Sequence, residues 1–150
     1  MNLTPRLVKL VLRFFGPYFG AGVRITHISP DWRELRVAMK LRWYNRNIVG
    51  TQFGGSLYSM IDPHLMLLLM QLLGKEYIIW DKAAEIEFVR PGRGTVTSTI
   101  KISDAELDKI RKNTADGQKH FPVFNLEILD DDGEIVAKVK KVLYIRRKMT

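Results

Sequence analysis

The sequence predicts an α+β domain in which one largely antiparallel sheet of about six strands wraps a single long buried helix, with an extra helix at the N-terminus. Three observations carry this expectation. Apolar and polar side chains alternate with period two along most of the chain, the segment Ser56 to Leu73 is apolar on nearly every side, and most links between alternating segments are too short for parallel crossovers. The alternation is most regular from Glu34 to Trp43, where Leu35, Val37, Met39, Leu41 and Trp43 share one face and Glu34, Arg36, Lys40 and Arg42 the other. It returns at Ala84, Ile86 and Phe88, at Val96, Ile100 and Ile102, and at Phe124, Leu126 and Ile128. Asp130-Asp131-Asp132-Gly133 supplies a hairpin turn before a last strand whose inward face holds Ile135, Ala137, Val139, Leu143 and Ile145. A shorter strand is expected near Val23 to Ile28.

At the N-terminus, Leu3, Leu7, Leu10, Val11 and Phe14 recur at helical spacing with Arg6, Lys9 and Arg13 between them. Residues 4 to 15 therefore read as an amphipathic helix ended by Gly16-Pro17, inside an extension covering 1–19. It serves either as a helix docked on the domain or as a membrane-surface anchor. A signal peptide is disfavoured because Lys9 and Arg13 interrupt the apolar stretch. In the long segment, Gly74 closes the helix, and Asp62, His64 and Gln71 leave an apolar run of only Leu65 to Met70. Stable membrane insertion is not expected from so short a run.

The 150 residues suit one domain over 1–150, and 24 basic against 16 acidic side chains give a formal charge of +8. With no cysteine, disulfides, thiolate metal sites and a cysteine nucleophile are excluded. The charge favours an anionic partner: nucleic acid, a membrane surface or a phosphate-bearing small molecule. Nucleic acid is disfavoured, because the aromatic residues fall at inward or helical positions and do not interleave with the bases. His27, His64 and His120 lack metal-ligand spacing, so neither a metal nor another cofactor is expected.

The stretch Asn47 to Gly55 lies between the strand ending near Trp43 and the long helix. Gly54-Gly55 lets a ligand approach bare backbone, where the free N–H groups of a first helical turn favour a developing oxyanion. Seven residues on comes Asp62, a carboxylate among Leu57, Met60, Ile61 and Leu65. One reading makes it a general base or nucleophile. The other makes Asp62-Pro63 a helix cap followed by proline, which would split the segment. Pro63 within a continuous helix would instead deprive the Ser59 carbonyl of its donor and kink it. Arg90 and Arg93, flanking Pro91-Gly92, are candidates for binding phosphates at a pocket mouth, or else belong to an ordinary solvated edge.

The pattern N-x-x-G-T-x-x-G-G followed by Asp62 resembles the active-site signature of the hotdog-fold acyl-CoA thioesterases, especially the phenylacetyl-CoA thioesterase-like group. GGSLYSMIDP, WDKAAEIEF and RPGRGTV resemble a hotdog branch labelled as tetrameric acyl-CoA thioesterases. The resemblance implies one helix wrapped by an antiparallel sheet and a homodimer or homotetramer with the pocket between subunits. It implies a cytoplasmic enzyme acting on an acyl-CoA or related thioester. It makes Asp62 the catalytic carboxylate, the Gly54-Gly55 backbone the oxyanion site, and Asn47 the residue positioning the thioester or water. This chain departs in carrying Phe53 where the family usually has histidine; Gln52 is the polar neighbour. It departs again with Asp81 and Lys82 where relatives often carry a small hydroxyl residue. By alternation Lys82 shares the face of Ala84 and Ile86, either snorkelling at a strand end or pairing with Asp62, while Asp81 is expected to face solvent. Two functions follow: hydrolysis of an acyl-CoA thioester, or a non-catalytic module binding acyl-CoA or fatty acid in the same pocket.

Overall fold

The computed structural model describes residues 4–149, so Leu3, expected at the start of the first helix, lies outside the described residues. The elements are α1 (Pro5–Arg13), α2 (Gly16–Ala21), β1 (Val23–Ile28), β2 (Glu34–Lys40), α3 (Gly54–Ser59), α4 (His64–Leu73), β3 (Tyr77–Phe88), β4 (Thr95–Lys101), α5 (Asp104–Asn113), β5 (Lys119–His120), β6 (Val123–Leu129) and β7 (Ile135–Arg147). The strands form one sheet in the order β1-β2-β4-β6-β7-β3, with short β5 also on β7, and every pairing is antiparallel. β3 is an edge along its whole length. Inward side chains of β2, β4, β6 and β7 close over Leu57, Met60, Ile61, Leu65, Leu68 and Leu69 of the central helical segment, all essentially without solvent exposure. This is a hotdog fold, a sheet wrapped round a helix.

Three local outcomes differ from the sequence reading. β2 ends at Lys40, and Trp43, expected inside, is 81% exposed on a turn. The cause is Asn45: its Oδ1 accepts from the Arg42 N–H at 2.7 Å and its Nδ2 donates to the Ala21 and Lys40 carbonyls, each at 3.0 Å, which curls the chain away from the sheet. Gly16-Pro17 ends α1 but also opens α2, with proline in its first turn. α5 was not anticipated, although Ser103 and Glu106 form a full capping box at its start.

The central segment is divided at residues 60–63. Pro63 has no N–H to give Ser59, and the path tightens to an Ile61 N–H bond on the Tyr58 carbonyl before α4 resumes. The Asp62 carboxylate caps nothing; its hydrogen-bond partner is a lysine, described below. Asp62-Pro63 is therefore a kink rather than a helix cap.

α2 is pinned to this segment by one buried contact. Tyr18 Oη and His64 Nε2 are 2.7 Å apart, and both side chains are buried. Burial pushes the Tyr18 hydroxyl well above its ordinary pKa, so it stays protonated and shares this hydrogen bond with the imidazole. Burial likewise pushes His64 down to about 4. An unfolded histidine titrates near 6.5, so between these values the unfolded chain binds a proton that the folded chain refuses. Stability contributed here is complete above pH 6.5 and is lost as pH falls toward 4, by about 3 kcal/mol in all. Urea unfolding at pH 7 and pH 4.5 should show a drop in the native protein larger by roughly 2 kcal/mol than in His64→Gln. Equal pH sensitivity in the two proteins would show that His64 is not held neutral.

Candidate active site

The inward face of β7 runs Ala137, Val139, Lys141, Leu143, Ile145, and Lys141 is as buried as its neighbours, with 0% side-chain exposure. An ammonium in that position is tolerable only if its donors are used and its charge is offset. Nζ lies 2.8 Å from the Asp62 carbonyl, 3.2 Å from Asp62 Oδ1 and 3.2 Å from Tyr58 Oη. It also lies 2.9 Å from Asp81 Oδ1, an ion-pair contact. One cation thus faces two carboxylates and a phenol, a cluster of formal charge −1.

Local backbone irregularities deliver both acids. The kink at Pro63 aims the Asp62 carbonyl and carboxylate at β7, leaving the carboxylate 48% exposed. On β3 the register against β7 shifts between Asp81 and Ala83, and this bulge reverses the alternation at its start. Asp81, expected to face solvent, turns inward onto Lys141. Lys82, expected to share the inner face, turns out, with its ammonium 4.0 Å above the Phe121 ring, and makes no ion pair with Asp62. It still borders the mouth of an open cleft of about 440 Å³ beside Tyr58, Asp81, Ala84 and Ile86.

The electrostatics follow from this packing. Burial alone would lower the Lys141 pKa, but contact with Asp81 and Tyr58 outweighs it and holds the group above the ordinary lysine range. Asp81 is raised by its burial, with Lys141 opposing. Tyr58 is raised by burial and by its neighbour Asp62, so it remains a neutral donor. Asp81 lines the cleft, and Asp62 is the more exposed of the two carboxylates.

Most of the other sequence-predicted residues gather at the N-terminal start of the helical segment. Asn47, Gln52, Gly54 and Arg90 line a second cleft of about 440 Å³ with Leu57 and Phe88. Asn47 organises its own loop: Oδ1 accepts from the Val49 and Thr51 N–H groups at 3.1 and 3.0 Å, and Nδ2 donates to Thr51 Oγ1 at 2.9 Å. Gln52 is buried, and its Nε2 donates to the Met39 and Gly94 carbonyls, both at 3.3 Å, tying β2 to β4. Phe53 is exposed, and its ring sits where a Cβ on Gly55 would fall, 2.6 Å from Cε1. Gly54 lies under the Phe88 ring, 2.9 Å from where its Cβ would be, so any side chain here would have to displace that ring. The Gly54 and Gly55 N–H groups have no acceptor among the described residues. Arg90 pairs with Asp130, which anchors the turn to the β6–β7 hairpin, and Arg93 is exposed.

Lys141 and Tyr58 are the site residues that sequence reasoning missed. The signal for Lys141 was present: the inward series 135, 137, 139, 143, 145 leaves 141 as its one missing member, and a charge at a core position demands a partner.

Solved structures with the same fold confirm the architecture. PA5026 of Pseudomonas aeruginosa, described as a protein of unknown function and probable thioesterase, superposes with a TM-score of 0.84 at 18% identity over 99% of each chain. OLEI01261 of Chlorobaculum tepidum gives 0.76 at 18% identity, over 98% of this chain and 99% of that one. Thioesterase HI1161 of Haemophilus influenzae gives 0.71 at 12% identity, over 100% and 95%. PA5026 and HI1161 are hotdog-fold, thioesterase-like proteins. No curated protein matches the chain. The family model described as "Domain of unknown function (DUF4442)" matches residues 4–145, nearly the whole chain, and this protein belongs to that family.

Proposed function

We propose that this protein hydrolyses an acyl thioester, with coenzyme A as the thiol carrier and the cytoplasm as its setting. The observation that carries the reading is an exposed carboxylate, Asp62, held by a buried lysine that also contacts Tyr58 and Asp81 of the cleft lining, in a fold shared with thioesterases. Asp62 takes a proton from water, and the hydroxide oxygen attacks the thioester carbonyl. The resulting oxyanion accepts from the free Gly54 and Gly55 N–H groups, and collapse breaks the C–S bond and expels the thiolate, which takes from Asp62 the proton that water gave up. The apolar strip Ala84, Ile86 and Phe88 on β3 joins the two clefts and offers a path for the acyl chain.

The spacing of the groups bears on assembly. At about 1.5 Å of rise per helical residue, Asp62 lies on the order of 10 Å along the axis from Gly55. Direct attack requires roughly 3–3.5 Å, so a nucleophilic Asp62 needs the glycines of another chain. A second copy paired along the open β3 edge runs its helix antiparallel to the first, bringing each Asp62 toward the other chain's Gly54-Gly55. The complete site is then shared in a homodimer or a tetramer of such dimers.

A non-catalytic acyl-CoA or fatty-acid binding module is the second reading, favoured by Phe53, whose apolar ring stands before the glycine pair. Free thiol released from a panel of acyl-CoA substrates separates the two cleanly, since a chain without cysteine adds no background. Hydrolysis predicts thiol release that Asp62→Ala reduces by about 10²–10⁴-fold. Thermal stabilisation by acyl-CoA with no release would establish the binding module instead. The cluster makes a second prediction. In Lys141→Met two carboxylates face each other without their cation, so the acidic limb of the kcat/KM profile should move to higher pH. Asp81→Asn leaves Lys141 to Asp62 alone and should move it lower. Shifts in the same direction would contradict the charge balance. Light scattering should give at least twice the mass of one chain, reverting to one chain when Ile86→Lys places a charge at the shared edge.

A further inference from the structure

Helix α1 carries one broad apolar arc, of which only part is covered by the domain. Val8 and Leu12 pack inward against the domain, while Leu7, Leu10, Val11 and Phe14 project outward; Leu10 is 56% and Phe14 73% exposed. At 100° per residue the outward four form one face, and Arg6, Lys9 and Arg13 form a stripe along its flank. Phe15, just before α2, and Phe19 on it add further exposed rings. Arg6, Lys9 and Arg13 join Arg24 of β1 around a groove of about 370 Å³, where the Lys9 ammonium donates to the Thr26 carbonyl at 2.7 Å. Among the described residues none of these four cations has an acidic partner. The first carboxylate in the chain is Asp31.

We infer that this face is a docking surface for an anionic lipid bilayer, on which α1 lies in the interface plane with its outward apolar side among the acyl chains and its cations at the headgroups. An apolar face bordered by unpaired bases is complementary to such a surface in both hydrophobicity and charge. A second copy docked on the same face would set one basic stripe against another, with no acid in either segment to offset it. The adsorption is peripheral, and α3 and α4 remain in the core.

Sedimentation of the full chain with vesicles tests this independently of any hydrolysis. Binding to vesicles of phosphatidylcholine with about one-third phosphatidylglycerol should exceed binding to pure phosphatidylcholine by tenfold or more, and should fall steeply between low and high salt. Leu10→Glu/Phe14→Glu, at solvent-facing positions, should lose at least tenfold in binding with the thermal midpoint unchanged. Arg6→Gln/Lys9→Gln/Arg13→Gln should lose the preference for anionic vesicles. Equal binding to both vesicle types, or undiminished binding by either variant, would overturn the inference. So would a fall in the protein's own oligomeric mass on Leu10→Glu/Phe14→Glu, which would identify the face as a contact between copies.

Discussion

A buried ammonium sets the terms for the middle of this molecule. Lys141 occupies a core position of the longest strand, where isolated charge is too costly to persist, and its compensation dictates the neighbouring backbone. The helical segment must present oxygen at that level, which the kink at Pro63 allows; the Asp62 carbonyl and carboxylate both reach Nζ. β3 must present a second acid, which the bulge at Lys82 allows by turning Asp81 inward. Either irregularity alone would be a minor defect of its element. Together they convert a helix, an edge strand and an interior strand into a single ionic cluster whose exposed member is Asp62.

The same requirement explains how much of the site was legible. Alternation located the strand faces correctly wherever the strands are regular, as at Leu35, Val37 and Met39 or Val96 and Ile100, because half-buried sheet demands it. It failed at Asp81 and Lys82, where a single extra residue reverses the phase and nothing in the local composition marks the event. It overran at Trp43, because the turn is ordered by Asn45 reaching back to Ala21, a contact between segments distant in sequence. α5 is legible only in its capping box, because its ten residues carry too short an apolar periodicity to stand out. Asp62 stood out as a carboxylate in an apolar setting, but its partner sits 79 residues away and could be found only by noticing the gap at 141 in an otherwise apolar series.

Charge is distributed on two separate scales. The chain is strongly basic as a whole, whereas the cluster at Asp62 carries a formal −1, so the excess of bases does not act at the candidate catalytic carboxylate. It lies outside, and its most uniform concentration is the acid-free N-terminal segment. That segment needs only one side of α1 to dock on the domain, through Val8 and Leu12. A helix kept merely as packing would carry polar side chains on its remaining surface. Here the remaining surface is split between an apolar face and a cationic stripe.

Sheet order keeps the two surfaces from competing. α1 packs on β1, at one end of the order β1-β2-β4-β6-β7-β3, and β3, the terminal strand at the other end, leaves its outer ladder unpaired. Contact with a bilayer through α1 therefore leaves the β3 edge free to pair with a second chain. Pairing along β3 in turn leaves α1 exposed on each copy. Two copies would present two basic, apolar helices, and binding through both would strengthen adsorption beyond that of one helix, provided the symmetry of the pair turns them toward the same plane. A thioester with a long acyl chain would then meet the shared cleft next to the surface into which its product partitions.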